Sequence, residues 1–400
     1  MSVQDHTTAE DFFAPEVVAD PYPLLERLRG IGPVVHHEAM DLWMVIGFDD
    51  IKWCAARPHV FEFPAEWQVG TFGVNVMQGF DDERHDAIRA VWSPDFNRRH
   101  VQGYRAMITP MVAELVEAFA ERVRAGEAVD LVDAVTRRIP TFVITELMGI
   151  GPERRAEYSR WSDEMARIPQ AMIDSDPRRR ERTLAEAFAA RDEMLDALRA
   201  EIARRDGVET PDVIGRAASE GATATMSLDE RAANIASLVF AGYETTSKLL
   251  AHSVLMLARH PEQRALLERE RDRIPAAVEE VLRHCGITMM TPRRAREDVE
   301  VHGVTIPAGA TVGLMFSTAN RDPARWEQPA RFDVTRAPKQ HYAFGFGLHH
   351  CLGQSLARLE ADIFLNELLD RLPEWDVPED IDFGTNFFIR GPKAVPVSAA

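Results

Sequence analysis

From Ser227 to the His260-Pro261 pair the sequence reads as one unbroken helix, and a rod of that length limits the available folds more than any other feature. Ser227 and Glu230 have the spacing of a capping box, in which each side chain satisfies a backbone amide at the helix start. Pro261 cannot continue the ladder, so the helix ends there. About 32 residues at about 1.5 Å each make a rod of about 50 Å. Its Leu, Val and Phe content implies burial, so the remaining chain must be built around it. Helical periodicity also covers 101–124, 178–205, 275–284 and 352–372. Runs of β type are confined to 34–46 and 299–316, the second turning at His302-Gly303. Together these predict a mainly α fold with small β-sheets. No repeat and no Gly/Ser linker divides the chain, so residues 1–400 are expected to form a single domain with no fused reductase or ferredoxin module.

Charge and hydropathy exclude several functions. With 46 Lys plus Arg against 64 Asp plus Glu, the net charge of -18 repels nucleic-acid phosphates and anionic lipid. The longest apolar runs, 238–241 and 254–258, are far short of the roughly 20 residues that cross a bilayer. Residues 1–10 are polar and acidic where an export signal would be basic and then apolar, so a cytoplasmic location is expected. The arginines of 178–182 open a helix and read as a solvated face. Only three cysteines occur, Cys54, Cys285 and Cys351, too few for a disulfide framework. A cysteine with a special role is therefore a ligand or a nucleophile.

The segment 341–353, His-Tyr-Ala-Phe-Gly-Phe-Gly-Leu-His-His-Cys-Leu-Gly, places Cys351 at the entrance of a helix. There the helix dipole and free amides favour a thiolate, and the glycines let backbone approach a flat ligand. A buried thiol in a glycine-rich turn is the plain alternative. A zinc site combining His350 and Cys351 with His284 and Cys285 lacks the usual ligand spacing.

This segment resembles the cysteine signature of the cytochrome P-450 family, Phe-Gly-x-Gly-x-His/Arg-x-Cys-x-Gly, complete over 344–353. The resemblance implies that Cys351 ligates the iron of haem b, that Phe344, Gly345 and Gly353 shape its loop, and that His349 binds a haem propionate. In the long helix, Ala241-Gly242-Tyr243-Glu244-Thr245-Thr246 is similar to the family's Ala/Gly-Gly-x-Asp/Glu-Thr. A helical Gly costs about 1 kcal/mol relative to Ala, so either close packing or ligand approach should compensate. The resemblance implies that Ala241 faces the haem and that Glu244 and Thr245 deliver protons for dioxygen reduction. His85 and Arg89 lie one helical turn apart and resemble a His-x-x-x-Arg propionate pair; Arg293 matches a third donor. Glu280 and Arg283 look like the family's Glu-x-x-Arg, with Arg331 as third member of a buried network. His341 is left without a role.

The expected fold is thus a single cytochrome P-450 domain, with haem between the long helix and the cysteine-loop helix. The expected activity is a haem-thiolate monooxygenase that inserts one atom of dioxygen into an apolar organic substrate. Electrons are expected from a separate iron-sulfur ferredoxin or flavodoxin with its NAD(P)H reductase, docked through Arg98, Arg99 and Arg358, and the protein is expected to be a monomer. A peroxide-driven peroxygenase and a non-enzymatic haem ligand carrier are the alternatives. Candidate substrate-pocket residues are Phe72, Val74, Leu238, Met289 and Phe388; their apolar character does not select among a terpene, a steroid, an aromatic or a fatty chain.

Overall fold

Val34–His37 and Leu42–Val45, β-branched and apolar, pair antiparallel and seed the largest sheet of the computed structural model. Six strands lie in the spatial order Thr7–Thr8, Val34–His37, Leu42–Val45, Thr311–Leu314, Thr291–Ala295 and Phe61–Glu62. Leu42–Val45 runs parallel to Thr311–Leu314, with Val45 opposite Leu314, and both are fully buried. The model describes residues 7–168, 171, 176–208 and 210–400, so part of the polar 1–10 segment lies outside the described residues.

The chain forms two compact units. The first comprises the chain up to Phe63, Arg105–Thr136 and Thr245–Ala400; the second comprises Pro64–Tyr104 and Arg137–Glu244. The sheet belongs to the first, as do the Ile274–Cys285 and Gln354–Arg371 helices, which pack on one another. A two-residue turn joins Val299–Val301 to Val304–Ile306. His302 and Gly303 both have positive φ there, 51° and 79°, as such a turn demands. The second unit is helical, built from Glu83–Phe96, Arg138–Met148, Arg155–Met165, Pro177–Arg204 and shorter pieces. Within it Asp95, 2% exposed, accepts two hydrogen bonds from Arg216 at 2.5 and 2.8 Å. At the start of Pro177–Arg204, Arg178 and Arg179 are exposed.

The long helix spans Leu228–Arg259, 32 residues, and the capping box closes as expected. Ser227 N–H donates to Glu230 Oε2 at 2.8 Å, and Glu230 N–H donates to Ser227 Oγ at 3.2 Å. The helix read over 101–124 is two helices, Arg98–Gly103 and Arg105–Arg124. They part at Gly103-Tyr104, where glycine's backbone freedom makes a break cheap. Among the described residues no helix is long and apolar enough to cross a membrane.

The buried Glu280 network differs from expectation in one member. Glu280 and Arg283 pair through two 2.7 Å hydrogen bonds, both side chains almost inaccessible. The third member is Arg336, whose Nε lies 3.3 Å from Glu280, and Asp333 N–H donates to Glu280 at 2.9 Å. Arg331 has a side chain 59% exposed and reaches only Gln328 and Asp333. Its contribution is its carbonyl, which accepts from Arg283 at 3.2 Å. The neighbouring Pro329 carbonyl accepts from the same guanidinium at 2.8 Å.

Candidate active site

The cysteine loop is closed by hydrogen bonds across its neck. Cys351 N–H donates to the Phe344 carbonyl at 2.9 Å, Gly345 N–H to Tyr342 at 3.0 Å and His350 N–H to Gly347 at 3.1 Å. Gly345 and Gly347 take φ of +71° and +75°, a region that side chains resist. At Gly347 a Cβ would also lie 2.5 Å from the Ala55 carbonyl oxygen, so the Phe48–Ala55 helix enforces glycine there by contact as well. Gly353 is different: its φ is -80°, and no protein atom lies within 4 Å of the position of a Cβ. Nothing in the packing of this unit requires a glycine at 353. The Gln354–Arg371 helix begins directly after it.

Cys351 is exposed, whereas Cys54 and Cys285 are buried. Burial pushes the thiols of Cys54 and Cys285 up to about 12, which keeps them neutral and unsuited to bind metal as thiolates. Among the described residues no group of three or more His, Cys, Asp or Glu could hold a metal, so the zinc alternative has no ligand set. In the same unit Arg293, 4% exposed, has its guanidinium 5.5 Å from the centre of the Phe63 ring, and His349 lies 5.7 Å from that ring on its own account. A soft sulfur ligand, a glycine with open space and two basic side chains beside one aromatic ring form a donor set that fits an iron porphyrin bearing carboxylates.

His85 and Arg89 sit in the second unit on the Glu83–Phe96 helix, which is capped by the Asp82 carboxylate accepting from Arg84 N–H. His85 is 1% exposed, and its Nδ1 is 3.0 Å from Asp86 Oδ1. On the long helix, Gly242 admits Ile144: a Cβ would lie 3.2 Å from Ile144 Cδ1. A methyl group there would require Ile144 to give by a few tenths of an ångström. Tyr243 is buried, accepts from Ser159 Oγ at 3.3 Å and has its phenol pushed up to about 12 by burial. Asp163 nearby is raised by burial, with Arg137 opposing and the Glu244 charge adding to the rise. Glu244 and Thr245 are partly exposed, and Ala241 is exposed.

Of the pocket candidates, Phe72 packs edge-on to Phe240, and Leu238 is buried in the same unit as Val74. Met289 and Phe388 belong to the first unit, joined by Met289 N–H donating to the Phe388 carbonyl at 3.0 Å.

The model of the family described as Cytochrome P450 matches residues 71–387. The chain belongs to the cytochrome P450 family. Cytochrome P450 monooxygenase PikC of Streptomyces venezuelae is 32% identical, the match covering 96% of this chain and 92% of the relative. The 6-deoxyerythronolide B hydroxylase of Saccharopolyspora erythraea is 31% identical, over 98% and 99%. Among solved structures, P450BioI in complex with a hexadec-9Z-enoic acid ligated acyl carrier protein superposes with a TM-score of 0.87. It shares 29% identity, over 96% of this chain and all of that one. This cytochrome P450 is a haem b monooxygenase that oxidises an organic substrate with electrons from a redox partner. The matched relatives include a monooxygenase, hydroxylases and an epoxidase, and neither the peroxygenase nor the ligand-carrier alternative gains support from them.

Two residues important to the loop escaped the sequence reading. Glu279 went unremarked beside Glu280. Arg358, taken as a docking residue, is bound within its own unit to Glu279 through bonds of 2.6 and 2.9 Å. Its place one helical turn beyond Gln354, on the helix that follows the loop, was the available signal, because residues four apart share a face.

Proposed function

We propose that Cys351 supplies the thiolate to haem iron in one cytochrome P450 domain spanning residues 1–400. In this reading Phe344, Gly345 and Gly353 shape the loop, Ala241 faces the porphyrin, and Arg293, His349, His85 and Arg89 hold its propionates. The carrying observation is that Cys351 is the exposed cysteine, in a loop whose Gly353 has no packing reason to be glycine. When bound, the haem supplies the dioxygen chemistry, one oxygen atom going to substrate and the other to water. The chain's own residues do the rest. Glu244 and Thr245 hold and pass the protons that dioxygen reduction consumes, Thr245 through its hydroxyl and Glu244 through its carboxyl. Phe72, Val74, Leu238, Met289 and Phe388 offer an apolar lining that orients the substrate and excludes water.

The substrate class in this proposal is an apolar organic molecule. Support comes from a relative named as a 6-deoxyerythronolide B hydroxylase and from a structure holding a hexadec-9Z-enoic acid ligated acyl carrier protein. The donor in this reading is an iron-sulfur ferredoxin, with flavodoxin as substitute, each served by an NAD(P)H reductase. Arg98 and Arg99 are exposed and can meet an acidic partner, whereas Arg358 is engaged by Glu279. The working state is a cytoplasmic monomer. The test is Cys351→Ser: the reduced carbon monoxide complex should lose the long-wavelength Soret band of thiolate ligation, since a serine oxygen does not donate as sulfur does. An unchanged band in this variant overturns the ligand assignment.

A further inference from the structure

Two chains of contacts approach Cys351 from opposite sides and meet at one carboxylate. Along the first, Glu279 Oε2 lies 3.0 Å from His341 Nε2. His341 Nδ1 accepts from Ala343 N–H at 3.2 Å, so Nε2 carries the proton and donates to Glu279. Ala343 precedes Phe344, whose carbonyl takes the Cys351 N–H. Along the second, Arg358 grips Glu279 with Nε at 2.6 Å from Oε1 and Nη2 at 2.9 Å from Oε2. Its Nη1 donates to Gln354 Oε1 at 2.9 Å, which leaves the Gln354 amide nitrogen to donate to His350 Nδ1 at 3.0 Å. His350 precedes Cys351. Arg358 also lies over the Phe344 ring, 4.4 Å from its centre, so the two limbs touch at the neck of the loop.

We propose that Glu279 is a positioning residue for Cys351: with His341 and Arg358 it clamps both flanks of the loop and thereby sets how the sulfur is presented to haem iron. The proposal rests on Cys351 being the ligand. Among the described residues, each hydrogen bond of the Glu279 side chain is to a group leading to the loop, whereas Glu280, one residue on, serves the buried arginine network. Burial would raise the Glu279 carboxyl, but hydrogen bonds from His341 and Arg358 and the Arg358 charge hold it down at about 2, so it stays ionised across the working range. His341 has a side chain only 4% exposed and acquires its role here. Outer partners of metal ligands fix ligand orientation in this manner, and their loss changes metal affinity or activity by roughly 10- to 100-fold.

The test uses the haem-loaded full chain as wild type, Glu279→Gln, Glu279→Ala and Cys351→Ser. Three quantities are read: the proportion of reduced carbon monoxide complex with the thiolate band, the midpoint potential, and hydrogen exchange of peptides covering 341–351. Glu279→Ala should lower the ratio of thiolate-ligated to unligated form about tenfold and shift the potential, with faster exchange confined to 341–351. Glu279→Gln keeps the shape and loses the charge; it should change each readout in the same direction by less, and it serves in place of Glu279→Ala if that variant does not load haem. Wild-type band, potential and exchange in both Glu279 variants overturn the proposal, as does faster exchange spread over the whole chain. If Cys351→Ser keeps the thiolate band, the ligand assignment itself has failed. If only the Glu279 variants are silent, the ligand stands and the clamp falls.

Discussion

Glu279 and Glu280 are neighbours on one helix, yet each anchors a separate ionic network. About 100° of helical rotation separates adjacent side chains. Glu280 turns into the protein, where Arg283 and Arg336 meet it and where Arg283 also ties down the carbonyls of Asn320, Pro329 and Arg331. Glu279 turns toward the cysteine loop, keeps a side chain 21% exposed and meets His341 and Arg358. One network joins segments distant in sequence and leads to no reacting atom; the other touches the two limbs that flank the sulfur. An identical residue type, displaced by one position, thus serves the fold in one case and the site in the other.

The largest effect should come from the first network. Glu280→Ala leaves Arg283 buried, and Arg336 half-buried, without a carboxylate, at a cost of roughly 3 to 5 kcal/mol, and should give little haem-loaded protein. Normal yield and unfolding temperature in this variant would place Glu280 with ordinary surface ion pairs and erase the contrast. Next comes the identity of the third member. Arg336→Ala should cost about 1 to 3 kcal/mol, as for a lost charged hydrogen-bond partner, while Arg331→Ala should stay within about 0.5 kcal/mol. Denaturant midpoints for the two variants decide it, and the reverse order would restore Arg331 to the network.

A third carboxyl sharpens the comparison because its Oε2 has no hydrogen-bond partner. Glu360, on the helix that follows Cys351, is 2% exposed, and burial raises its carboxyl well above the usual range. Above about pH 4.5 the unfolded chain releases this proton while the folded protein keeps it, so stability falls as pH rises toward the folded value. Glu360→Gln removes that penalty. Relative to wild type its advantage should grow as pH rises above the unfolded carboxyl's range, measured by chemical denaturation at a series of pH values. A difference that does not change with pH would show that Glu360 is ionised in the fold.

Local chemistry is what the sequence made legible. The Ser227–Glu230 box, the His302-Gly303 turn and the cysteine segment each depend on residues a few positions apart, and each could be read with its physical reason. Arg336 could not, because it meets Glu280 across 56 residues and nothing nearby separates it from Arg331. Glu279 stayed hidden for a related cause: its partners stand 62 and 79 residues away, while its neighbour carried the recognisable motif. The break at Gly103-Tyr104 was missed because helical periodicity continues through it. For Gly242 the sequence left ligand approach and packing equally open, and the structure adds one packing neighbour, Ile144.

Two of the three glycines of the cysteine loop, Gly347 and Gly353, carry a consequence for mutational scanning. Position 347 is closed to every side chain by backbone angle and by the Ala55 carbonyl, so in a saturation library its losses should appear as loss of folded protein. Position 353 has ordinary angles and open space, so Gly353→Ala should be tolerated in abundance and selected against only where haem retention is scored. A map that subtracts abundance from haem retention would then trace the outline of the cofactor from the protein's own tolerance.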